Sequence, residues 1–250
     1  MTVSPDERWQ VSQASSRMDL PPKMRFLDRK TGDSTDVELP VSVDPESTNL
    51  YLNAVWPTWS PDSKHLLLNV VKPWRRGYAD RSEGVVLIAV PSLKPRFVRV
   101  ENALLSSRGF QWTRDGRGIV AQWGTSGKSV IRQFDLQGVV KRTWQVGGYP
   151  VGDALGTFSP SGRRFVTACG PSMRVACVWD TATGKTVTKI KLGNSRRDHV
   201  LGWYDEQHLL APVSQGYGIV DLKGAVVETL IKLDKDDPIF YPRFDARDPS

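Results

Sequence analysis

The sequence is poor in several features that define whole classes of protein. Its 250 residues hold two cysteines and three histidines, too few for a disulfide framework or a histidine-rich zinc site. No run of about 18 apolar residues occurs, so no helical membrane span is expected. No stretch of about 12 residues keeps apolar side chains at helical spacing without proline, glycine or β-branched interruptions, so long helices are not expected. Residues 1–10 are polar and lack the apolar core of a secretion signal. The chain as given therefore reads as cytoplasmic, with an extracytoplasmic site as the alternative if it belongs to a longer exported protein.

Hydrophobic residues make up 39% of the chain, which excludes disorder and supports a sizeable core. The balance of 34 Lys and Arg against 27 Asp and Glu gives +7. That excess is modest and scattered, and nucleic acid is not an expected partner.

The apolar residues fall in short alternating segments. These are 24–27, 65–71, 85–90, 118–123, 130–134, 164–168, 175–179, 187–190, 218–220 and 226–231. They are rich in Val, Ile and aromatics and bounded by Gly, Pro, Asp and Ser, the pattern of an all-β chain.

The segments recur at a longer period. An apolar or aromatic residue precedes a polar turn in Val3-Ser4-Pro5-Asp6, Trp59-Ser60-Pro61-Asp62, Trp112-Thr113-Arg114-Asp115, Phe158-Ser159-Pro160-Ser161 and, more weakly, Trp203-Tyr204-Asp205. The second residues lie at 4, 60, 113, 159 and 204, steps of 56, 53, 46 and 45. A partial copy stands at Phe244-Asp245. A second anchor, Asp to Gly, appears at Asp28–Gly32, Asp135–Gly138, Asp180–Gly184 and Asp221–Gly224, whereas the second unit has Val90-Pro91-Ser92-Leu93. Asp supplies an acceptor for turn amides and Gly the positive φ. Each period thus holds four strands, a to d. Four strands in about 45 residues is one blade of a β-propeller.

Two strings carry a family likeness. Trp59-Ser60-Pro61-Asp62-Ser63-Lys64-His65-Leu66 resembles the TolB-type motif. Val178-Trp179-Asp180-Thr181-Ala182-Thr183-Gly184-Lys185 resembles the end of a WD repeat. Over nearly its whole length the chain resembles the TolB-like and WD-repeat-like propellers, without the Gly-His dipeptide of strict WD repeats. The resemblance implies a scaffold.

One propeller domain over 1–250 is expected. Five blades account for the chain, with six or more if it is a fragment. Segment 239–244 is expected to supply the inner strand of the first blade. Trp59, Trp112, Phe158, Trp203 and Phe244 share one repeat position and read as core.

Candidate sites reduce quickly. Gly124-Thr125-Ser126-Gly127-Lys128-Ser129 looks like a phosphate-binding loop, but Gln122 stands where the leading glycine belongs and a strand follows instead of a helix. It reads as a b–c hairpin. His65 and His208 share a strand position and carry no expected role. No nucleophile elbow occurs, and no catalytic residue, metal site or cofactor is assigned. Cys169 and Cys177 share a strand parity and read as two small buried thiols, a cross-strand disulfide being the alternative.

The irregular b–c and d–a loops are the expected working surface. The b–c loop of the second unit carries Trp74, Arg75, Arg76 and Tyr78, and the d–a loop of the fourth carries Arg196, Arg197 and His199. Aromatics beside arginine are the composition of interface anchors. These seven residues are the expected contact set for a protein or peptide partner. The alternative is a propeller hydrolase or lyase acting on a glycan or small molecule at the central channel.

Overall fold

The computed structural model describes residues 2–14, 23–40, 52–71, 81–104, 109–125, 128–151, 156–170, 174–192, 200–214 and 216–233. Within them every regular element is a strand. The first sheet is β1 (Thr2–Val3), β2 (Trp9–Gln13), β3 (Lys23–Asp28) and β4 (Ser34–Glu38). The second is β5 (Leu52–Trp59), β6 (His65–Val71), β7 (Ser82–Ala89) and β8 (Lys94–Arg99). A two-residue strand, β9 (Ala103–Leu104), joins the third sheet beside β11. That sheet otherwise runs β10 (Gln111–Trp112), β11 (Gly118–Thr125), β12 (Lys128–Asp135) and β13 (Val140–Trp144). The fourth is β14 (Tyr149–Pro150), β15 (Arg164–Cys169), β16 (Val175–Asp180) and β17 (Thr186–Lys191). The fifth is β18 (Gly202–Trp203), β19 (His208–Val213), β20 (Gly216–Asp221) and β21 (Val226–Lys232). Each sheet is a meander in which strands a, b, c and d follow one another in chain order.

Burial explains the strand sequences. The b and c strands are covered on both faces, as in the patterns BiBBBBBi for β7 and iBBBBB for β19. Near-continuous apolar runs such as Leu66, Leu67 and Leu68 suit such strands. The d strands are exposed along most of their length, with a single buried residue in β4, β8, β13 and β17.

The chain divides into two compact units, Met1–Ile119 with Phe134–Val140, and Val120–Gln133 with Lys141–Ser250. In the first unit, Trp9 and Phe26 of the first sheet meet Trp59, Leu66 and Ile88 of the second. Phe26 takes Trp9 and Trp59 edge-on, with centroids 6.4 and 6.3 Å away, the geometry that the ring quadrupoles favour. In the second unit, Val166 and Val178 of the fourth sheet pack on Trp203, Leu209 and Val220 of the fifth. The other face of the fourth sheet sets Phe158 and Phe165 against Val120, Ile131 and Trp144.

The anchor residues Trp59, Trp112, Phe158 and Trp203 are all buried. Each contributes roughly 1.5–3 kcal/mol by burial. Phe244 and segment 239–244 lie outside the described residues. The first place in the first sheet is taken by Thr2–Val3, with Thr2 opposite Val11 and Val3 opposite Gln10.

Candidate functional site

Meander topology puts the a–b and c–d turns at one end of each sheet and the b–c and d–a connections at the other. The two ends differ chemically.

At the turn end, the polar side chains are consumed by the turns. Ser60 Oγ donates to Asp62 Oδ1 at 2.7 Å and accepts the His65 N–H at 2.9 Å. Thr113 does the same with Asp115 and Gly118, at 2.7 and 2.9 Å, and Ser4 with Asp6 and Trp9. In the fifth sheet, where Tyr204 stands in place of Ser or Thr, Asp205 Oδ1 accepts the N–H groups of Gln207 and His208 at 2.7 and 2.8 Å.

The c–d turns hold Asp135 and Asp221 in the same way. Asp221 accepts from Lys223 and Ala225, both at 2.8 Å. The Ala225 N–H holds the Asp221 carboxyl below the usual carboxylate range, and the Thr183 hydroxyl and N–H do so for Asp180. The Arg8 guanidinium, 2.8 Å away, lowers Asp28. Burial pushes Asp205 up, but hydrogen bonds from Gln207 and His208 outweigh it and the carboxyl ends below its ordinary value. These carboxylates are fixed as ionised acceptors, the opposite of what a general acid needs.

Turns of neighbouring sheets also interlock. The Asp6 N–H donates to Ser63 Oγ at 3.0 Å, and Ser161 Oγ donates to Glu206 Oε2 at 3.0 Å.

At the loop end, the connections differ in length: residues 14–22, 72–81, 126–127, 170–174 and 214–215 link strands b and c in the five sheets. Trp74, Arg75, Arg76, Tyr78, Arg196, Arg197 and His199 lie outside the described residues. The structure does show how the stem of the 72–80 segment is braced. Asn69 on β6 is buried, and its Oδ1 accepts the Phe110 N–H at 2.9 Å. Gly109 has φ +65° and sits so close that a Cβ there would lie 2.3 Å from Asn69 Oδ1. Ser82, the first residue of β7, donates to the Val100 carbonyl and accepts the Ala103 N–H at 3.1 Å.

The loop end of the fourth sheet carries a feature that corrects the expectation of two thiols. Cys169 and Cys177 form a disulfide with Cα atoms 5.9 Å apart. Cys169 pairs with Val175 and Cys177 with Thr167, so the bridge is diagonal across β15 and β16. The diagonal brings two same-face Cβ atoms into the bonding range of about 4.4–6.8 Å between Cα atoms. A strand pattern gives parity but not register, which is why the thiol reading failed.

Beside the disulfide lies an open cleft of about 380 Å³ lined by Gly147, Gly170, Val175, Trp179, Lys189 and the two half-cystines. Its floor is locked. Trp179 Nε1 donates to Thr167 Oγ1 at 2.9 Å, and that hydroxyl donates to the Gly147 carbonyl at 3.0 Å. Lys189, opposite Cys177 on β17, is exposed. Trp179 was legible in the sequence only as part of the repeat string Val178–Lys185, and Lys189 not at all. The shared parity of Cys169, Cys177 and Trp179 was the available signal.

The phosphate-loop look-alike is a hairpin joining β11 and β12. His65 and His208 open β6 and β19. Burial holds the His65 imidazole below its usual pKa, and His208 Nδ1 meets Asp205 Oδ2 at 2.8 Å. Among the described residues, no group of three or more His, Cys, Asp or Glu side chains is arranged to hold a metal ion.

Comparison with known proteins places the architecture. No protein-family model and no curated protein matches the chain. Solved structures do. TolB from Acinetobacter baumannii superposes with a TM-score of 0.52 at 18% identity, over 89% of this chain and 51% of that one. A chain of a mitotic checkpoint complex superposes with a TM-score of 0.56 at 15% identity, over 90% and 63% respectively. This chain therefore spans about half to under two thirds of the length of these neighbours. At such identities the likeness establishes the fold. The five sheets are blades of a β-propeller, the fold of both neighbours.

Proposed function

We propose that this propeller is a non-enzymatic scaffold that binds a protein or peptide partner through its irregular b–c and d–a loops. The observation that carries the reading is the contrast between the two ends of each sheet. At the turn end, Ser60, Thr113, Asp28, Asp180 and Asp221 are committed to local hydrogen bonds, which leaves little to recognise a ligand. At the loop end, chain length varies from sheet to sheet, and the segments carrying Trp74, Arg75, Arg76 and Tyr78, and Arg196, Arg197 and His199, are attached there. Rigid blades displaying variable loops are a common route to binding function. One structural neighbour belongs to a mitotic checkpoint complex.

The disulfide supports an oxidising, extracytoplasmic location, because such bonds are rarely kept in a reducing cytoplasm. Thiol trapping in the source cells tests this point: an unreactive Cys169–Cys177 pair supports it, and two free thiols contradict it.

The partner reading is tested by photo-cross-linking. A cross-linker at position 74 or 197 is expected to trap a partner that one at position 117, on an a–b turn, does not. Loss of the position-197 adduct in the combined Trp74→Ala and Arg75→Ala variant completes the test. Adducts confined to position 117 overturn it.

A further inference from the structure

None of the residues lining the cleft beside the Cys169–Cys177 disulfide belongs to the seven loop residues assigned to the partner. We propose that the cleft is a second binding site, for a carboxylate carried on a flat apolar body. The body lies against the disulfide, Val175 and the indole of Trp179, and the carboxylate meets the ammonium of Lys189.

Four observations lead there. The volume of about 380 Å³ falls within the roughly 300–1,000 Å³ of small-molecule sites. The floor is apolar and polarisable: two sulfurs, a valine and an indole, a combination that favours aromatic contact. The polar atoms beneath it are already satisfied, because the chain Trp179 Nε1 to Thr167 Oγ1 to Gly147 O uses them up. A ligand therefore needs no polar group on that side, and the indole is held in place before it arrives. Gly147 and Gly170 keep the walls open. A Cβ at Gly147 would meet nothing within 4 Å, and one at Gly170 would meet only Val175 at 3.5 Å.

The charge of the ligand follows from the lining. Lys189 is the single charged residue in it, and no carboxylate forms part of that lining. One ammonium at the rim of an apolar cleft matches one carboxylate. A neutral body gains nothing from it, and a cation is repelled. The same chemistry is offered by a free aromatic acid or by an aromatic residue at a peptide C-terminus.

The test is calorimetric titration of the full chain with 2-naphthoate. The expected result is single-site saturable binding that weakens by about tenfold or more in Lys189→Glu, equivalent to about 1.4 kcal/mol. Lys189→Arg is expected to retain binding, and the neutral 2-naphthalenemethanol to bind more weakly than naphthoate, with an affinity that Lys189→Glu leaves unchanged. Nuclear Overhauser contacts from naphthyl protons to the Trp179 indole place the ring. Lys189 is exposed, so its variants fold. Absence of saturable binding to the wild type, or binding untouched by Lys189→Glu, overturns the proposal. Competition by N-acetylglycyl-phenylalanine as the acid but not as the amide assigns the source to a peptide terminus. Failure of both to compete assigns it to a free small molecule. The Trp74→Ala and Arg75→Ala variant binds naphthoate normally on this account, so the two sites fail or stand separately.

Discussion

Trp203 Nε1 donates to the carbonyl of Thr157 across 3.0 Å, joining the end of strand a in the fifth sheet to the residue before the anchor Phe158 of the fourth. Trp112 makes the equivalent bond to Thr58, also at 3.0 Å. The anchor aromatic thus does two jobs: it fills the space between sheets and pins the preceding sheet by its one polar atom. Trp59 breaks the rule, because its Nε1 is buried without an acceptor.

That exception gives a ranked expectation. Trp203→Phe and Trp112→Phe each strand a carbonyl and are expected to destabilise by about 1–2 kcal/mol more than Trp59→Phe, which removes a group that was already unsatisfied. Denaturant unfolding of the three variants checks the order. Equal costs would show that the indole bonds contribute nothing.

The a–b turn hydroxyls are ranked by their geometry. Ser60 makes bonds of 2.7 and 2.9 Å, whereas Ser159 makes contacts of 3.4 and 3.3 Å with Ser161 and the Arg164 N–H. Both side chains are fully buried. Ser60→Ala is expected to cost about 1–2 kcal/mol and Ser159→Ala less, measured by thermal or denaturant unfolding.

The left-handed position of the a–b turn is Gly116 and Gly162 in two sheets but Glu7 in the first, at φ 60°. Glu7 is exposed. Glu7→Gly removes a steric penalty of about 1 kcal/mol against a smaller entropic loss, so a net stabilisation of a few tenths of a kcal/mol is expected. A lower unfolding midpoint in the variant would contradict this.

The turn carboxylates make stability depend on pH. The Ala225 N–H lowers the pKa of Asp221 in the folded chain. Its stabilising contribution is therefore present above the unfolded value of about 3.9 and is lost as pH falls through the folded value. Asp221→Asn is expected to be less stable than wild type at neutral pH, with the gap closing below about pH 4. Unfolding curves across that range check it, and a gap independent of pH would contradict it.

The disulfide closes a short loop between β15 and β16, for which chain-entropy arguments give about 2–3 kcal/mol. The Cys169→Ser and Cys177→Ser double variant is expected to lose up to that amount, read from its denaturation midpoint.

How far the sequence reaches depends on what each strand buries. Strands such as β6 and β15 are apolar on both faces, so their spans at His65–Val71 and Arg164–Cys169 coincide with the apolar segments. The d strands were legible only at β17 and β21, through Val187, Val226 and Val227. In β4, β8 and β13 a single buried residue among polar neighbours leaves no alternation to read. The repeat turns were legible because their chemistry is local, residue i bonding residue i+2. The cleft was not. It depends on the register that sets Cys177 between Thr167 and Lys189, and on the segment before β14 bringing the Gly147 carbonyl to Thr167.

The partner-binding account is tested most directly by measuring the affinity of the cross-linked partner, once purified, for two sets of variants. One set changes the loop end (Trp74→Ala with Arg75→Ala; Arg196→Ala with Arg197→Ala) and the other the turn end (Arg117→Ala; Lys185→Ala). The account predicts that affinity falls by about tenfold or more in the loop set, as expected for anchor residues, and stays unchanged in the turn set. The reverse pattern would contradict it.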